Sequence, residues 1–494
     1  MTSNTKPPMS ALMSAMLPTT LVVALALAGC TALTPAYERP EAPVAPQWAD
    51  AASSPTTAAR PAAELGWREF FTDSQLQALI AQALQHNRDL KVSVLNVERA
   101  QAQYRVQRAD QLPSVNAGVG QSAQRLPGGL SGTGEPAISR QYTATLGISA
   151  YELDLFGRVR NLTDAALQQY LGTEDARRSA QISLIAQVAS SWLTLAADQE
   201  RLALTEATLK TREDSLRLTQ RLQGSGISST LDLRQAEIAV ESARADQASL
   251  GAQVAADRHA LELLVGQPLT PAQWPQRDTT AAATQTAALP AGLPSEVLLA
   301  RPDVQQAERS LQSANANIGA ARAAFFPRIT LTASAGSASG ELDGLFRNGS
   351  GFWSFVPQIT LPIFDTGRNR ANLKVAEVDR DIAVAQYEKA IQSAFREVAD
   401  ALSERGALGQ QAEAQQRLVA QTQDALRLAE ARFRAGVDDR LATLDAQRTL
   451  YSAQQSLIAT RLAQQVNRVT LYKALGGGVI EQSAASPATR QSGA

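Results

Sequence analysis

Two stretches of this chain, Gly157 to about Gln223 and Gly367 to about Arg434, contain no proline. Each reads as one uninterrupted helix, on the order of 100 Å long at 1.5 Å per residue. A chain that carries two such rods builds a tube or a spacer rather than a globule. Composition agrees: 44% of residues are hydrophobic but only 5% aromatic, and Ala, Leu, Gln, Arg and Glu dominate, the make-up of long helices. Within the first rod Val188, Leu195, Leu202, Leu209 and Leu216 recur at sevens, which predicts a coiled-coil seam.

The two rods belong to an internal repeat. At an offset of about 210 residues Gly157 falls on Gly367, Arg158 on Arg368, Gly226 on Gly436, Leu231 on Leu441, Ala236 on Ala446 and Gly266 on Gly476, so one unit is used twice. Gly226 and Gly436 mark hairpin tips. Each can take the left-handed conformation that ends a helix, and after Gly436 either Asp438 or Asp439 can cap the next one. The return helices, to Gly266 and Gly476, cover only part of the outward length. A helix from after Asp73 to about Asp110, and one within Pro294 to Phe325, supply the rest.

Between these helices the period changes to two. Ser114 to Gly118 and Tyr142 to Ala150 read as strands joined by the Gly- and Ser-rich loop LPGGLSGTGEPAIS. In the second unit Ile329, Leu331, Ala333 and Ala335 alternate with Thr330, Thr332 and Ser334. A Gly/Ser loop from Ser337 to Gly351 follows, then a strand with Trp353, Phe355, Ile359, Leu361 and Ile363 on one side. Such strands suit a half-buried soluble sheet or a membrane barrel with lipid outside and water inside.

The amino terminus decides between the two. Lys6 precedes an apolar run from Leu21 to Ala28, too short for a stable membrane span, which ends in Leu27-Ala28-Gly29-Cys30. This looks like a bacterial lipobox, which implies cleavage before Cys30 and acyl chains on its thiol and new amino group. Thr31 rather than Asp follows, so nothing argues for retention at the inner membrane. Four strands cannot close a barrel, whereas three chains would give twelve. The organisation expected is a signal peptide at 1–29, a lipidated Pro-rich tether at 30–72, a first repeat at 73–270, a linker at 271–292, a second repeat at 293–478 and a flexible tail at 479–494.

With the lipobox stand YELDLFGRVR (Tyr151 to Arg160), LPSEVLLARPDVQQAE (Leu293 to Glu308), AAFFPRITLTASAG (Ala323 to Gly336), LPIFDTGRNRANL and RFRAGVDDRLATLDAQ. Together they resemble the TolC-like outer membrane factors, specifically the lipid-anchored OprM-like branch. The resemblance covers nearly all of the mature chain. It implies a homotrimeric helical barrel continuous with a twelve-stranded transmembrane barrel in outer-membrane lipid, with a mixed belt around its middle. It also implies a passive exit duct fed by an inner-membrane pump of the resistance-nodulation-division type through a periplasmic adaptor. Type I protein secretion and metal efflux use ducts of the same shape. From another class, a lipid-anchored spacer without a lumen is the rival, although it has no need of paired amphipathic strands.

The resemblance further implies a gate. Leu441 and Asp445, four apart and so on one helix face, would form an apolar constriction and a ring of carboxylates around the threefold axis. Some relatives carry another acidic residue where Ala442 stands here. Asp232 at the first tip matches a position that helps latch the closed state. Without the resemblance, Asp445 reads as a solvated surface charge.

An enzyme finds little support. The two histidines, His86 and His259, lie far apart in helical sequence, and Cys30 is the single cysteine. No phosphate-binding glycine loop, HExxH or GxSxG occurs, no cofactor or metal is implied, and a net charge of −1 gives no reason to expect nucleic acid.

Overall fold

The computed structural model describes residues 33–48, 61–132, 134–275 and 295–483. The lipobox at Cys30, residues 276–292 of the expected linker and residues 484–494 lie outside them. The chain divides into two compact units, one holding residues 97–173, 306–387 and the amino-terminal stretch before residue 42, the other holding 42–96, 174–305 and everything from 388 onward.

The α-helices longer than one turn are α1 (Ser74–His86), α2 (Arg88–Ala109), α3 (Arg158–Gly224), α4 (Thr230–Val265), α5 (Pro302–Ala323), α6 (Arg368–Arg434) and α7 (Arg440–Ala474). The two expected rods are α3 and α6, each of 67 residues. Both begin after a glycine with positive φ, Gly157 at 78° and Gly367 at 83°. Among the described helices α3 alone is apolar enough over one window to cross a membrane, yet 56% of that window is buried inside the protein, as befits a core helix.

The helix expected to run unbroken from Asp73 to Asp110 is two helices. Asp73 caps α1 by accepting from the amides of Gln75 and Leu76 at 2.8 and 2.9 Å. Asn87, with φ −60° and ψ 130°, then interrupts the run. Its side chain accepts from the Leu90 amide at 2.8 Å and donates to the Leu264 carbonyl at 2.9 Å. One asparagine thus starts α2 and ties it to the end of α4.

The strands β1 (Val115–Leu126), β2 (Ala137–Leu153), β3 (Arg328–Ser339) and β4 (Gly351–Thr360) form one antiparallel sheet in sequence order. The first two extend well beyond their expected ends, because the loop between them shrinks to residues 127–136 and the flanking polar residues pair instead. The fourth stops before Leu361, where Pro362 has no amide to continue a ladder.

Register puts Val115, Ala117 and Val119 beside Ile148, Leu146 and Ala144, and these beside Ala333, Ala335 and Ser337. Ala333 and Ala335 in turn face Phe355 and Trp353. One face is therefore continuously apolar across most of the sheet, and it is open: Val119 is 82% exposed and Trp353 78%. The opposite face carries Asn116, Gly118, Thr143, Thr145, Ser334 and Ser354.

A bulge between Ile148 and Tyr151 keeps the apolar face continuous. Ala150 takes φ 51° there and its amide donates to the Thr332 hydroxyl at 3.2 Å. Because side chains alternate, the extra residue moves the apolar set of β2 from even to odd positions. Tyr151 and Leu153 consequently face out beside Leu331 and Ile329.

In the same unit residues 34–39 form a strap along α5. Glu308, only 8% exposed, accepts from the Tyr37 hydroxyl at 3.0 Å and from Arg39 through two bonds at 2.8 and 3.0 Å. Burial, with Glu308 alongside, pushes the Tyr37 hydroxyl up to about 12. Gly319 leaves the space that the Thr34 hydroxyl occupies. In the other unit Tyr472 stacks on Phe70 with ring centroids 3.9 Å apart and donates to the Leu65 carbonyl at 2.6 Å. The stretch after α7 joins this core: the Trp67 amide donates to the Ile480 carbonyl at 3.1 Å and the Gly66 amide to the Ser483 hydroxyl at 2.9 Å. The stretch expected to be a free tail from 479 is docked as far as Ser483.

Candidate functional site

Each hairpin tip is assembled from backbone groups that the helix ends leave unpaired. At the first, Gly226 at φ 73° turns the chain, and the Ile227 amide reaches back to the Leu222 carbonyl at 2.9 Å. At the second, Gly436 at φ 72° does the same, and Val437 reaches Arg432 at 3.0 Å. Both are the left-handed helix stop expected from sequence.

The caps that follow differ. Ser229 starts α4 in a capping box: its hydroxyl accepts from the Asp232 amide at 3.1 Å, while the Asp232 carboxylate accepts from the Ser229 amide at 2.9 Å. The Ser228 hydroxyl adds a third contact at 3.0 Å. These donors, first the Ser229 amide and then the two hydroxyls, hold Asp232 below the usual carboxylate range, with a smaller contribution from Arg440. At the second tip Asp439 is the cap, accepting from the Ala442 amide at 3.3 Å. Asp438 instead pairs with Arg432, whose guanidinium depresses its pKa.

Leu441 and Asp445 project from one face of α7, as their spacing requires. Leu441 is 51% exposed, and Asp445, also exposed, accepts from Arg448 one turn along at 2.6 Å. Together they border a cleft of about 260 Å³ walled by α3, α4 and α7.

Two residues that sequence reasoning passed over stand among them. Arg440 lies over the Phe433 ring, 5.2 Å from its centroid. Burial lowers its pKa, Asp232 counteracts this, and its buried Nε has no partner among the described residues. Arg212 on α3 is 7% exposed and borders the same cleft as Leu441 and Asp445. Its signal in the sequence was its place three residues after Leu209, on the inner side of the heptad stripe. Among the described residues no group of three or more His, Cys, Asp or Glu side chains could hold a metal.

The sequence pattern of the outer membrane efflux protein family matches residues 79–267 and 293–477, one segment per repeat. The chain belongs to this family. Among relatives of this outer membrane efflux protein, the antibiotic efflux pump outer membrane protein ArpC and the toluene efflux pump outer membrane protein TtgC, both of Pseudomonas putida, are each 53% identical to it. Each alignment runs over 464 residues and covers 94% of this chain and 95% of the relative. The open-state crystal structure of the Neisseria gonorrhoeae MtrE outer membrane channel superposes with a TM-score of 0.83 at 39% identity, covering 92% of this chain and all of that one. The fold is thus that of the TolC-like channels, a helical body with a membrane β part. The protein is an outer membrane efflux channel of a Gram-negative bacterium.

Proposed function

We propose that this efflux protein is the exit duct of a tripartite system, working as a homotrimer with a periplasmic adaptor and an inner-membrane pump of the resistance-nodulation-division type. The observation that carries the reading is the four-stranded sheet. One of its faces is apolar and open, and among the described residues the outer edges of β1 and β4 pair with no strand. Bare edges are intolerable in lipid. Three copies joined edge to edge give twelve strands, the apolar face toward lipid and the small polar face toward a wet lumen. A spacer without a lumen has no use for such a sheet.

In this reading the duct closes at the hairpin tips. Leu441 narrows it, Asp445 makes a carboxylate ring that favours cations, and Asp232 with Arg440 latches one hairpin to the other. Acylated Cys30 anchors the chain in outer-membrane lipid. Neither catalysis nor a cofactor is involved. The names of the relatives point to small apolar and amphiphilic organic compounds as cargo.

The test is efflux in a host that lacks its own outer-membrane ducts. With a suitable pump and adaptor, this protein lowers dye accumulation and restores resistance to antibiotics and toluene; without the pump it does neither. Assembled trimers that restore no organic efflux with any such pairing would overturn the cargo reading and leave secreted polypeptide or metal ions as cargo. Absence of trimers would return the spacer. Replacing Cys30 by Ala abolishes acyl labelling if the anchor is as proposed.

A further inference from the structure

The buried seam of α3 changes character toward its tip. Val188 and Leu195 are sealed from solvent, but farther along the buried positions are Thr205, Arg212, Ser215 and Thr219. Leu202, Leu209 and Leu216, expected to continue the seam, are only half-buried. Polar residues at sevens have replaced apolar ones where the hairpins meet. The Thr205 and Thr219 hydroxyls bond to carbonyls of their own helix at 2.8 and 3.0 Å. Among the described residues the buried Ser215 hydroxyl, Thr443 Oγ1 and Gln447 Oε1 have no partner.

Arg212 is the costly member of this seam. Its guanidinium donates to the Ala239 carbonyl on α4 at 2.9 Å and stands 5.5 Å from the centre of the Tyr451 ring on α7. It has no ion pair among the described residues. Burial lowers its pKa, against the opposing influence of Tyr451 and Asp246. A buried guanidinium with no carboxylate in contact is unfavourable, and Asp246 acts on this one only at a distance. The cleft of about 260 Å³ beside it offers one carboxylate, Asp445, now held by exposed Arg448. A second cleft of about 180 Å³ on its other side offers Glu430, which Arg434 reaches at 3.7 Å.

We propose that Arg212 is the alternative partner of Asp445, a positioning residue that takes the carboxylate from Arg448 when the cleft between the hairpins closes and so sets how much negative charge the second tip shows to passing ions. The proposal rests on the gate reading of Asp445. It explains why a fixed cation is buried in a seam that has to part and rejoin, and why the polar atoms around it are left unsatisfied in this arrangement.

The experiment is the reversal potential of purified trimers in planar bilayers under a potassium chloride gradient. Asp445→Ala lowers the preference for potassium over chloride. Arg212→Met, which keeps the packing but frees Asp445, raises that preference by roughly two- to fivefold, the range expected of a partly solvated ion pair. Arg212→Lys stays near wild type, and Arg212→Met combined with Asp445→Ala matches Asp445→Ala alone. If Asp445→Ala moves the potential and Arg212→Met does not, the inference fails and the gate stands. If Asp445→Ala itself has no effect, the gate reading falls and takes the inference with it. An Arg212→Met effect that persists without Asp445, or that Glu430→Gln abolishes, reassigns Arg212 to Glu430 and overturns the proposal. Should Arg212→Met not assemble, exchanging the charges (Arg212→Asp with Asp445→Arg) must recover trimers that Arg212→Asp alone loses; failure to do so also overturns it.

Discussion

The two hairpin tips share a backbone and almost nothing else. Gly226 and Gly436 take the same left-handed turn within 1° of φ, and the helices they end have the same length. In the first tip the side chains serve the turn itself: Ser228, Ser229 and Asp232 are bound up in one capping box. In the second a single cap, Asp439, suffices. Asp438 pairs with Arg432 across the turn, while Leu441 and Asp445 face a cleft. The positions equivalent to Asp445 and Arg440 in the first repeat are Gln235 and Thr230, neither of them charged. Duplication supplied the architecture twice, and the residues of the proposed gate differ between the two copies.

The sharpest way to break this contrast is to empty both tips in turn. Replacing Leu441 and Asp445 by Ala together should raise closed-state conductance by about tenfold, since both the constriction and the ring go. The matching change at Leu231 and Gln235, which removes no charge, should leave it within about twofold. Equal leaks from the two variants would refute the division of labour. Next in size, Arg440→Met should loosen the tips by roughly two- to fivefold in open probability. Asp232→Asn should add little to it if the proposed latch uses the two residues as a pair. Independent, additive effects would dissolve the latch.

The caps test the shared part of the comparison. Ser229→Ala and Asp439→Ala should each cost about 1 kcal/mol of local helix stability, read as lost amide-exchange protection in the first turn of α4 or α7. A cost at one tip alone would mean that only one turn depends on its cap.

The smallest effect is a pH dependence confined to the first hairpin. Burial raises the pKa of Asp257 on α4, and the Asp198 carboxylate on α3 raises it further, partly offset by a bond from Gln253. A carboxyl whose folded pKa is raised contributes stability below its unfolded pKa and loses it as pH rises through the folded value. Asp257→Asn, which keeps a donor without the titration, should flatten the fall in melting temperature between the unfolded and folded pKa values, by about 2 °C. A wild-type melting temperature that does not fall with rising pH would remove Asp257 from the account.

Much of the fold was legible because its determinants are local. Glycines at 226, 266, 436 and 476 end helices through their own backbone freedom, and the distance between Gly226 and Gly436 fixes the repeat. Strand alternation was readable wherever one face met lipid. What escaped depends on partners far away in sequence. Asn87 breaks a helix because Leu264 is there to receive it, and the bulge at Ala150 makes sense only against Thr332 on another strand. The heptad of leucines was visible, whereas the buried polar stripe beside it required knowing which side of α3 faces α4 and α7. In the proposed gate, Leu441 and Asp445 follow from spacing and resemblance. Arg212, more than 200 residues away, is marked only by its place beside the heptad stripe, and Arg440 gains its setting from Phe433 and Asp232, which only the folded tips bring near.

The equal length of α3 and α6 has a consequence for how such a chain can change over generations. A residue lost from either helix would rotate everything beyond it by about 100° and shorten it by 1.5 Å, throwing the inner face outward. Only a matching loss in the other repeat would bring the two tips level again. Substitutions can therefore accumulate independently in the two halves, but insertions and deletions between Gly157 and Gly226 have to be inherited together with their counterparts between Gly367 and Gly436. Length is therefore a trait that this architecture ties between its two halves.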